Sequence, residues 1–177
     1  LPVRREEREF LARGVRFDVE TRHGRVAAWA WGSGPTVLLA HGWSGHAGQM
    51  TPLARALVES GFRAVALDMP AHGASAGKLS SIVHFADALG DAAPLFAPLR
   101  GTVAHSLGAA AATFAMANGR FIASRAAFIA PPSDLETFWD RFRRGTGLSP
   151  SGWEAMKKTS ERWLGVPFEA CVPRLLA

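Results

Sequence analysis

The sequence predicts an α/β fold: a doubly wound, mostly parallel sheet with an N-terminal antiparallel hairpin and a small helical cap. Three observations support this fold class. Short apolar runs alternate with segments of helical periodicity over residues 36–130, and these runs have the composition of strands covered on both faces. Residues 15–31 instead alternate polar and apolar positions, as a half-buried hairpin does. After Pro131-Pro132 the strand–helix alternation stops, and residues 134–165 show helical periodicity alone.

Each predicted element has a local signal of its own. The charged residues near the N-terminus form a short predicted helix that ends at Gly14, and the His23-Gly24 turn divides the hairpin. Two later helices end at Gly61 and Gly119, since glycine readily stops a helix. The predicted helices are 4–13, 50–60, 80–89 with an extension towards Phe96 that Pro94 and Pro98 limit, and 107–118. The predicted strands are 15–20, 25–31, 36–40, 62–67, 101–105 and 125–130, of which the last four are predicted to be buried.

The predicted organisation has three parts: an α/β core over residues 1–133, a helical cap at 134–170, and the start of a returning core strand at 171–177. The cap is polar and rich in tryptophan, and it does not continue the βαβ pattern. The final residues Val172-Pro-Arg-Leu-Leu-Ala177 have the composition of a buried strand with nothing after it. Because such a strand is a poor place for a domain to finish, and because an initiator Met is absent, we expect a fragment of a longer protein.

Composition excludes several classes of protein. Hydrophobic residues make up 48% of the chain, which is enough for a buried core, and no apolar run approaches the roughly 20 residues that span a bilayer. The net charge of +5 comes mostly from scattered arginines, so we expect neither nucleic acid nor a membrane as a partner. Cys171 stands alone, which excludes an intrachain disulfide and fits a reducing, cytoplasmic location. Without a ligand cluster or a glycine-rich phosphate loop, we expect no metal and no nucleotide cofactor.

The strongest chemical signal lies in Thr102-Val-Ala-His-Ser-Leu-Gly-Ala-Ala-Ala111, where a predicted strand meets a predicted helix. A strand that runs into Ser106 and a helix that begins directly after it force a sharp, strained turn at the serine. Small residues must flank such a turn, and Ala104, Gly108 and Ala109 meet this requirement. The turn presents the Ser106 hydroxyl at a helix N-terminus, where backbone N–H groups favour negative charge. The simpler alternative is that Ser106 only caps the helix.

A loop after the neighbouring strand supports the catalytic interpretation. His41-Gly42-Trp43 follows the strand 36–40 and should face Ser106 across the carboxyl edge of the sheet. The backbone N–H groups of Trp43 and Leu107 could then form an oxyanion hole. We interpret His41 as a residue that shapes its loop, and not as a proton-transfer group. The residues to which we assign loop shaping are His41, Gly42, His105 and Gly108.

A third loop, Asp68-Met-Pro-Ala-His-Gly-Ala-Ser75, contains an acid and a histidine that could be partners for Ser106. We interpret Asp68 and His72 as structural, because both precede the serine. The chain order in folds that present a serine in this way is serine, then acid, then histidine.

Together the three motifs resemble the α/β-hydrolase superfamily, in its serine hydrolase and acyltransferase branch. His41-Gly42-Trp43 looks like the oxyanion loop of that superfamily, and the segment from Asp68 to Ser75 is similar to its D-x-P-G-H-G-x-S loop. Ala104-His-Ser-Leu-Gly108 resembles its nucleophile elbow, G-H-S-x-G. Ala104 and Ala71 stand where that superfamily usually has glycine. The resemblance covers nearly the whole chain.

This resemblance implies that Ser106 forms an acyl-enzyme with a small-molecule ester or related acyl substrate. Hydrolysis and transfer of the acyl group to another acceptor both remain open. The substrate would enter between the cap and the core, where aromatic side chains of the cap either line a pocket or only pack against one another. The candidate pocket residues are Phe138, Trp139, Phe142 and Trp153.

The part of the family pattern that carries the catalytic acid and histidine is missing. No histidine follows His105, so we expect both groups to lie beyond Ala177 and expect this polypeptide alone to be nearly inactive. Asp134 is the candidate acid in a less common arrangement of the family. The alternative function is an inactive α/β-hydrolase-like scaffold or binding module, because serine without a base is a weak nucleophile. A sheet that ends early would also expose an edge, through which the chain could form a homo-oligomer.

Overall fold

The computed structural model describes residues 2–132 and 135–171. It divides into two compact units, one that ends at Pro131 and one that begins at Pro132. Within the described ranges, no helix combines the length and the apolar character that crossing a membrane requires.

The first unit is built on a single sheet whose strands are β1 Val15–Thr21, β2 Gly24–Trp31, β3 Thr36–Ala40, β4 Arg63–Leu67, β5 Leu99–His105 and β6 Ala126–Ile129. Their order across the sheet is β1-β2-β4-β3-β5-β6. The hairpin of β1 and β2 is antiparallel, and β2 also pairs antiparallel with β4. The pairs β3–β4, β3–β5 and β5–β6 are parallel. The predicted fold class is confirmed.

Helices cover both faces of this sheet, and they are α1 Arg5–Leu11, α2 Thr51–Glu59, α3 Ile82–Phe96 and α4 Leu107–Ala117. Side chains alternate between the two faces of a strand, so β3 contributes to two separate cores. Val37 and Leu39 pack with residues of α1 and α2. Leu38 and Ala40 pack with residues of α3 and α4. The uninterrupted apolar run of β3 is therefore explained by its two covered faces.

One buried strand of the prediction is not buried. Every residue of β6 is exposed, including Phe128 and Ile129, whose exposed fractions are 36% and 41%. The reason is its place in the sheet: β6 pairs with β5 on one side, and within the described residues it forms the edge on the other side. An apolar run indicates that a strand can be covered, but it does not say which segment covers it.

Pro94 lies inside α3, although the sequence predicts that it limits this helix. A proline removes one intrahelical hydrogen bond and crowds the carbonyl group four residues earlier. The helix nevertheless continues to Phe96, whose side chain is buried in the core together with those of Ala92 and Ala93. Burial of these side chains offsets the local cost of the proline.

The described part of the second unit consists of α5 Leu135–Thr146, α6 Pro150–Leu164 and a 3₁₀ turn at Phe168–Cys171. Ser149 caps α6 by accepting a hydrogen bond from the N–H of Gly152, and Gly165 ends this helix with a φ of 71°. These helices agree with the helical periodicity of residues 134–165. Residues 172–177, for which the sequence predicts a returning strand, lie outside the described residues, and the predicted cap boundaries stay a prediction.

Candidate active site

Ser106 lies between the last residue of β5 and the first residue of α4, with no other residue in the junction. Its backbone has a φ of 51° and a ψ of −123°, a conformation that costs free energy for any residue with a side chain. The N–H of Ser106 donates a hydrogen bond of 2.9 Å to the carbonyl oxygen of Ile129, and its own carbonyl accepts one of 2.9 Å from Ala109. The Ser106 hydroxyl does not cap α4. The strained turn is present, and no side-chain hydrogen bond supports the capping alternative.

Strained backbone is concentrated at one edge of the sheet. Among the described residues, the non-glycine positions with a positive φ are Ser44, Ala71, Ser106 and Ala130. Each follows the carboxyl end of one of the neighbouring strands β3, β4, β5 and β6. Strain of this kind persists only where surrounding contacts hold it, and it occurs often at functional sites. Glycine would adopt the positive φ of Ala71 without this strain.

Two small residues let the β3 loop, which we define as residues 41–47, approach the β5 turn, defined as residues 105–108. A Cβ atom at Gly108 would collide with the carbonyl oxygen of His41. A Cβ atom at Gly42 would lie 3.0 Å from the Cβ of Ser106 and 3.0 Å from Nδ1 of His105. The structure therefore brings together the two segments that the sequence assigns to one site.

Each of these segments contains one backbone N–H group of the predicted oxyanion hole. Trp43 follows Gly42 in the β3 loop, and Leu107 is the first residue of α4. Over residues 2–132 and 135–171, neither N–H group donates a hydrogen bond to a protein acceptor. N–H groups at a helix N-terminus attract anions, and the same is true of unpaired N–H groups in adjacent loops. Both groups thus remain free to bind an oxygen atom of a ligand.

His41 joins the β3 loop to the segment that follows β4. Its Nε2 accepts a hydrogen bond of 3.0 Å from the N–H of Met69, and its Nδ1 donates one of 2.7 Å to the carbonyl oxygen of Gly42. Burial lowers the pKa of His41 to about 4, so the ring is neutral near pH 7. With both ring nitrogens engaged, His41 shapes the loop and has no nitrogen left for proton transfer.

Asp68 holds the other end of the β3 loop. Its Oδ1 accepts a hydrogen bond of 2.5 Å from the N–H of Ala47, and its Oδ2 accepts one of 2.6 Å from the N–H of Ala74. Burial raises the pKa of Asp68, although these two N–H groups act in the opposite direction. Both carboxyl oxygens are used in joining loops, which agrees with the structural interpretation of this residue.

His72 contacts the β3 loop from the segment that follows β4. Its Nε2 accepts a hydrogen bond of 3.2 Å from the N–H of Ser44, and its Nδ1 donates one of 2.9 Å to the carbonyl oxygen of Pro70. The His72 ring also packs edge-on against Trp43 and Phe85, at centroid distances of 5.2 and 5.1 Å. The Trp43 side chain keeps 56% of its surface exposed. His72 thus positions the β3 loop through Nε2, while its Nδ1 is engaged by Pro70.

Ser75 connects the hairpin to this edge of the sheet in a way that the sequence does not predict. Its hydroxyl donates a hydrogen bond of 2.6 Å to the carbonyl oxygen of Asp68 and accepts one of 2.9 Å from the N–H of Ala27. These partners are seven and 48 residues away, so no local pattern reports them. The serine in the loop motif is the one available signal, and it does not specify the partner.

The remaining predicted site residues stand as predictions. His105 is exposed beside Ser106, in the β5 turn. Asp134 lies outside the described residues. Phe138 and Trp139 belong to α5, and their side chains are not described. Phe142 is 41% exposed on α5 and Trp153 is half-buried on α6, both within the second unit.

Comparison with known families assigns the chain to one of them. A family model described as "Serine aminopeptidase, S33" matches residues 34–152, which is more than half of the chain. The chain belongs to this family. The matched range of this S33 family member includes the β3 loop, the Asp68 loop and the β5 turn, and it extends into the second unit. No curated protein matches the chain.

Solved structures with the α/β-hydrolase fold are similar to this S33 family member. The N-formylmaleamic acid deformylase of Pseudomonas putida S16 is 24% identical with a TM-score of 0.61, over 68% of this chain and 48% of the deformylase. A thioesterase domain from the curacin biosynthetic pathway is 28% identical with a TM-score of 0.50, over 56% and 38% of the two chains. Epoxide hydrolase A of Mycobacterium thermoresistibile is 23% identical with a TM-score of 0.60, over 76% and 46%. The chain thus spans about half or less of each of these proteins.

Proposed function

We propose that the protein is a serine hydrolase in which Ser106 attacks the acyl carbon of an ester or a related acyl substrate. The observation that carries this proposal is the strained Ser106 backbone, which places the residue at the N-terminus of α4 beside the β3 loop. Ser106 Oγ would bond to the acyl carbon while its proton passes to a base, and the leaving group would depart with that proton. Water would then hydrolyse the acyl-enzyme and restore the serine.

The N–H groups of Trp43 and Leu107 are proposed to bind the oxyanion that forms during acyl transfer. Both are without a protein acceptor in the described residues, and Leu107 adds the positive end of the α4 dipole. Such donors act mostly in the transition state, and loss of one costs about 10²- to 10³-fold in rate. Similarity to a thioesterase domain that is 28% identical supports acyl chemistry, whereas similarity to the deformylase and to the epoxide hydrolase, which are 24% and 23% identical, supports the fold alone.

The general base is proposed to lie beyond Ala177. His41 and His72 use both ring nitrogens in holding loops, so neither is available to take a proton from Ser106. The chain covers 48% of the deformylase, which leaves room for a catalytic acid and histidine in a longer product. On this proposal the 177-residue polypeptide is nearly inactive, and a longer polypeptide from the same gene hydrolyses esters.

The test compares both lengths in p-nitrophenyl butyrate hydrolysis and in labelling by a fluorophosphonate probe. We expect the longer form to be active and labelled and the short form to be nearly silent. Ser106→Ala should abolish both signals, whereas Ser60→Ala, at an exposed serine that ends α2, should change neither. Strong Ser106-dependent turnover by the short form would refute the assignment of the base to the missing part.

The second candidate function is a catalytically inactive scaffold or binding module. It is favoured by one observation: His41 in the β3 loop and His72 in the loop after β4 are both committed to backbone hydrogen bonds. In the same experiment, a longer form that neither hydrolyses the ester nor reacts with the probe would support this function and refute the hydrolase.

A further inference from the structure

The N-terminal helix α1 is fixed to the sheet on the same side as the start of α2. The ring of Phe10 stacks on that of Trp31 with a centroid distance of 4.8 Å. The Trp31 indole N–H donates a hydrogen bond of 3.0 Å to the carbonyl oxygen of Phe10. A seven-residue helix is not stable by itself in water, so contacts of this kind hold α1 in place. They also bring its Glu7 against the end of the β3 loop.

Glu7 is an unusual residue because its carboxylate is buried. Its exposed fraction is 3%, and it accepts hydrogen bonds from the backbone N–H of Arg4, at 2.7 Å, and from the Arg4 side chain, at 2.8 Å. Burial raises the pKa of Glu7, but the hydrogen bonds and the charge of Arg4, together with His46, hold the pKa below its ordinary value. Glu7 is therefore an ionised group inside the protein.

The buried neighbour of Glu7 is His46, in the β3 loop. His46 Nε2 lies 3.8 Å from Glu7 Oε2, and the His46 side chain is 3% exposed. Among the described residues, neither ring nitrogen of His46 has a hydrogen-bond partner, and the Glu7 carboxylate is a charged group close to Nε2. Gly48 makes this approach possible, since a Cβ there would lie 3.0 Å from both Glu7 Cβ and His46 Nδ1.

His46 is three residues from Trp43, and the residue after it, Ala47, is held by Asp68. The end of the β3 loop is thus clamped between two buried carboxyl groups, one at the end of β4 and one on α1. Displacement of His46 would move the backbone between Trp43 and Ala47, because this segment has no regular secondary structure to resist it.

We propose that Glu7 and His46 are positioning residues, through which α1 holds the β3 loop so that the Trp43 N–H points at the reacting oxygen. This inference rests on the proposed function of Ser106. It assigns to α1 a part in transition-state stabilisation that acts through the β3 loop.

The first test measures amide hydrogen exchange in the 177-residue chain, which requires no activity. Glu7→Gln should make exchange in residues 42–50 about tenfold faster, because a buried charged partner of His46 is lost. Exchange in β3 and β5 should not change. The control is Glu9→Gln, since Glu9 lies on the same helix but is exposed and, within residues 2–132 and 135–171, pairs with Arg5 at 2.8 Å. Unchanged exchange in Glu7→Gln, or an equal increase throughout the chain, would overturn the proposal.

The second test uses the ester-hydrolysing longer form. Glu7→Gln should lower kcat about 10- to 100-fold with little change in KM, because a displaced oxyanion donor acts in the transition state. His46→Gln should have a similar effect, the double variant should be no worse than either single variant, and Glu9→Gln should match the wild type. A rise in KM alone, or additive effects, would overturn the proposal. If Ser106→Ala retains activity the proposed function fails, and the exchange experiment still decides the role of Glu7.

Discussion

The β3 loop and the β5 turn lie side by side at one edge of the sheet, but different interactions hold them. The β5 turn is fixed by backbone hydrogen bonds, such as that from Ser106 to Ile129, and by the small size of Gly108. The β3 loop is fixed by side chains from other segments, chiefly His41 and Asp68. Geometry at the serine therefore depends on residue size, whereas geometry at the neighbouring N–H group depends on charge and protonation.

The cause of this difference is the length of each connection. The β5 turn joins a strand directly to a helix, and the regular hydrogen bonds of both elements determine its path. The β3 loop spans seven residues from His41 to Ala47, where a 3₁₀ turn over Ala47–Met50 begins, and its backbone polar groups need other partners. Conditions that change side-chain protonation should consequently disturb the loop before they disturb the turn.

The largest effect is expected where the two regions meet, at Gly108. Gly108→Ala should lower the free energy of unfolding by about 2 to 3 kcal/mol, because the new methyl group meets the backbone oxygens of His41 and Ala40. The matched control is Gly145→Ala on α5, where an added Cβ meets nothing within 4 Å. Gly145→Ala should be as stable as the wild type or slightly more stable. Urea unfolding of both variants gives the comparison, and equal stabilities would show that the loop and the turn are not in tight contact.

A smaller effect on the free energy of unfolding is expected from the titration of His41 in the β3 loop. Its pKa is about 4 in the folded protein and 6.5 ordinarily, so between these values the unfolded chain binds more protons. The contribution of His41 to stability is complete above about pH 6.5 and declines as the pH falls towards 4. Between pH 7 and pH 5 the loss amounts to about 2 kcal/mol.

Urea unfolding at pH 5, 6 and 7 checks this prediction with His41→Gln as the reference. Glutamine can accept a hydrogen bond from Met69 and donate one to Gly42, as His41 does, but it does not titrate. The variant should therefore lose less stability than the wild type on acidification. Equal losses in the two proteins would mean that His41 is not the group responsible.

The comparison also explains how far the sequence predicts this molecule. The β5 turn follows from local pattern, because a strand, a serine, small residues and a helix are adjacent in the chain. The β3 loop is only partly predictable, because the partners of His41 and Asp68 are 28 and 21 residues away. The buried Glu7 was not predicted at all, since a charged helix near the N-terminus is ordinarily exposed. The exposure of β6 was not predicted either, because it depends on the position of the strand in the sheet and not on its composition.

The smallest effect is expected within the β5 turn, at Ser106 itself. Because its φ is 51°, Ser106→Gly should be about 1 kcal/mol more stable than Ser106→Ala, since glycine adopts this conformation without strain. Both variants lack the hydroxyl, so the difference isolates the backbone.

Ser60 provides the control, since it has an ordinary φ of −86°. There the order should reverse, and Ser60→Gly should be less stable than Ser60→Ala because glycine loses more conformational freedom on folding. Thermal and urea unfolding of the four variants measure both differences. If glycine were the less stable choice at position 106 as well, the turn would carry no strain, and the backbone argument for a nucleophile at Ser106 would lose its basis.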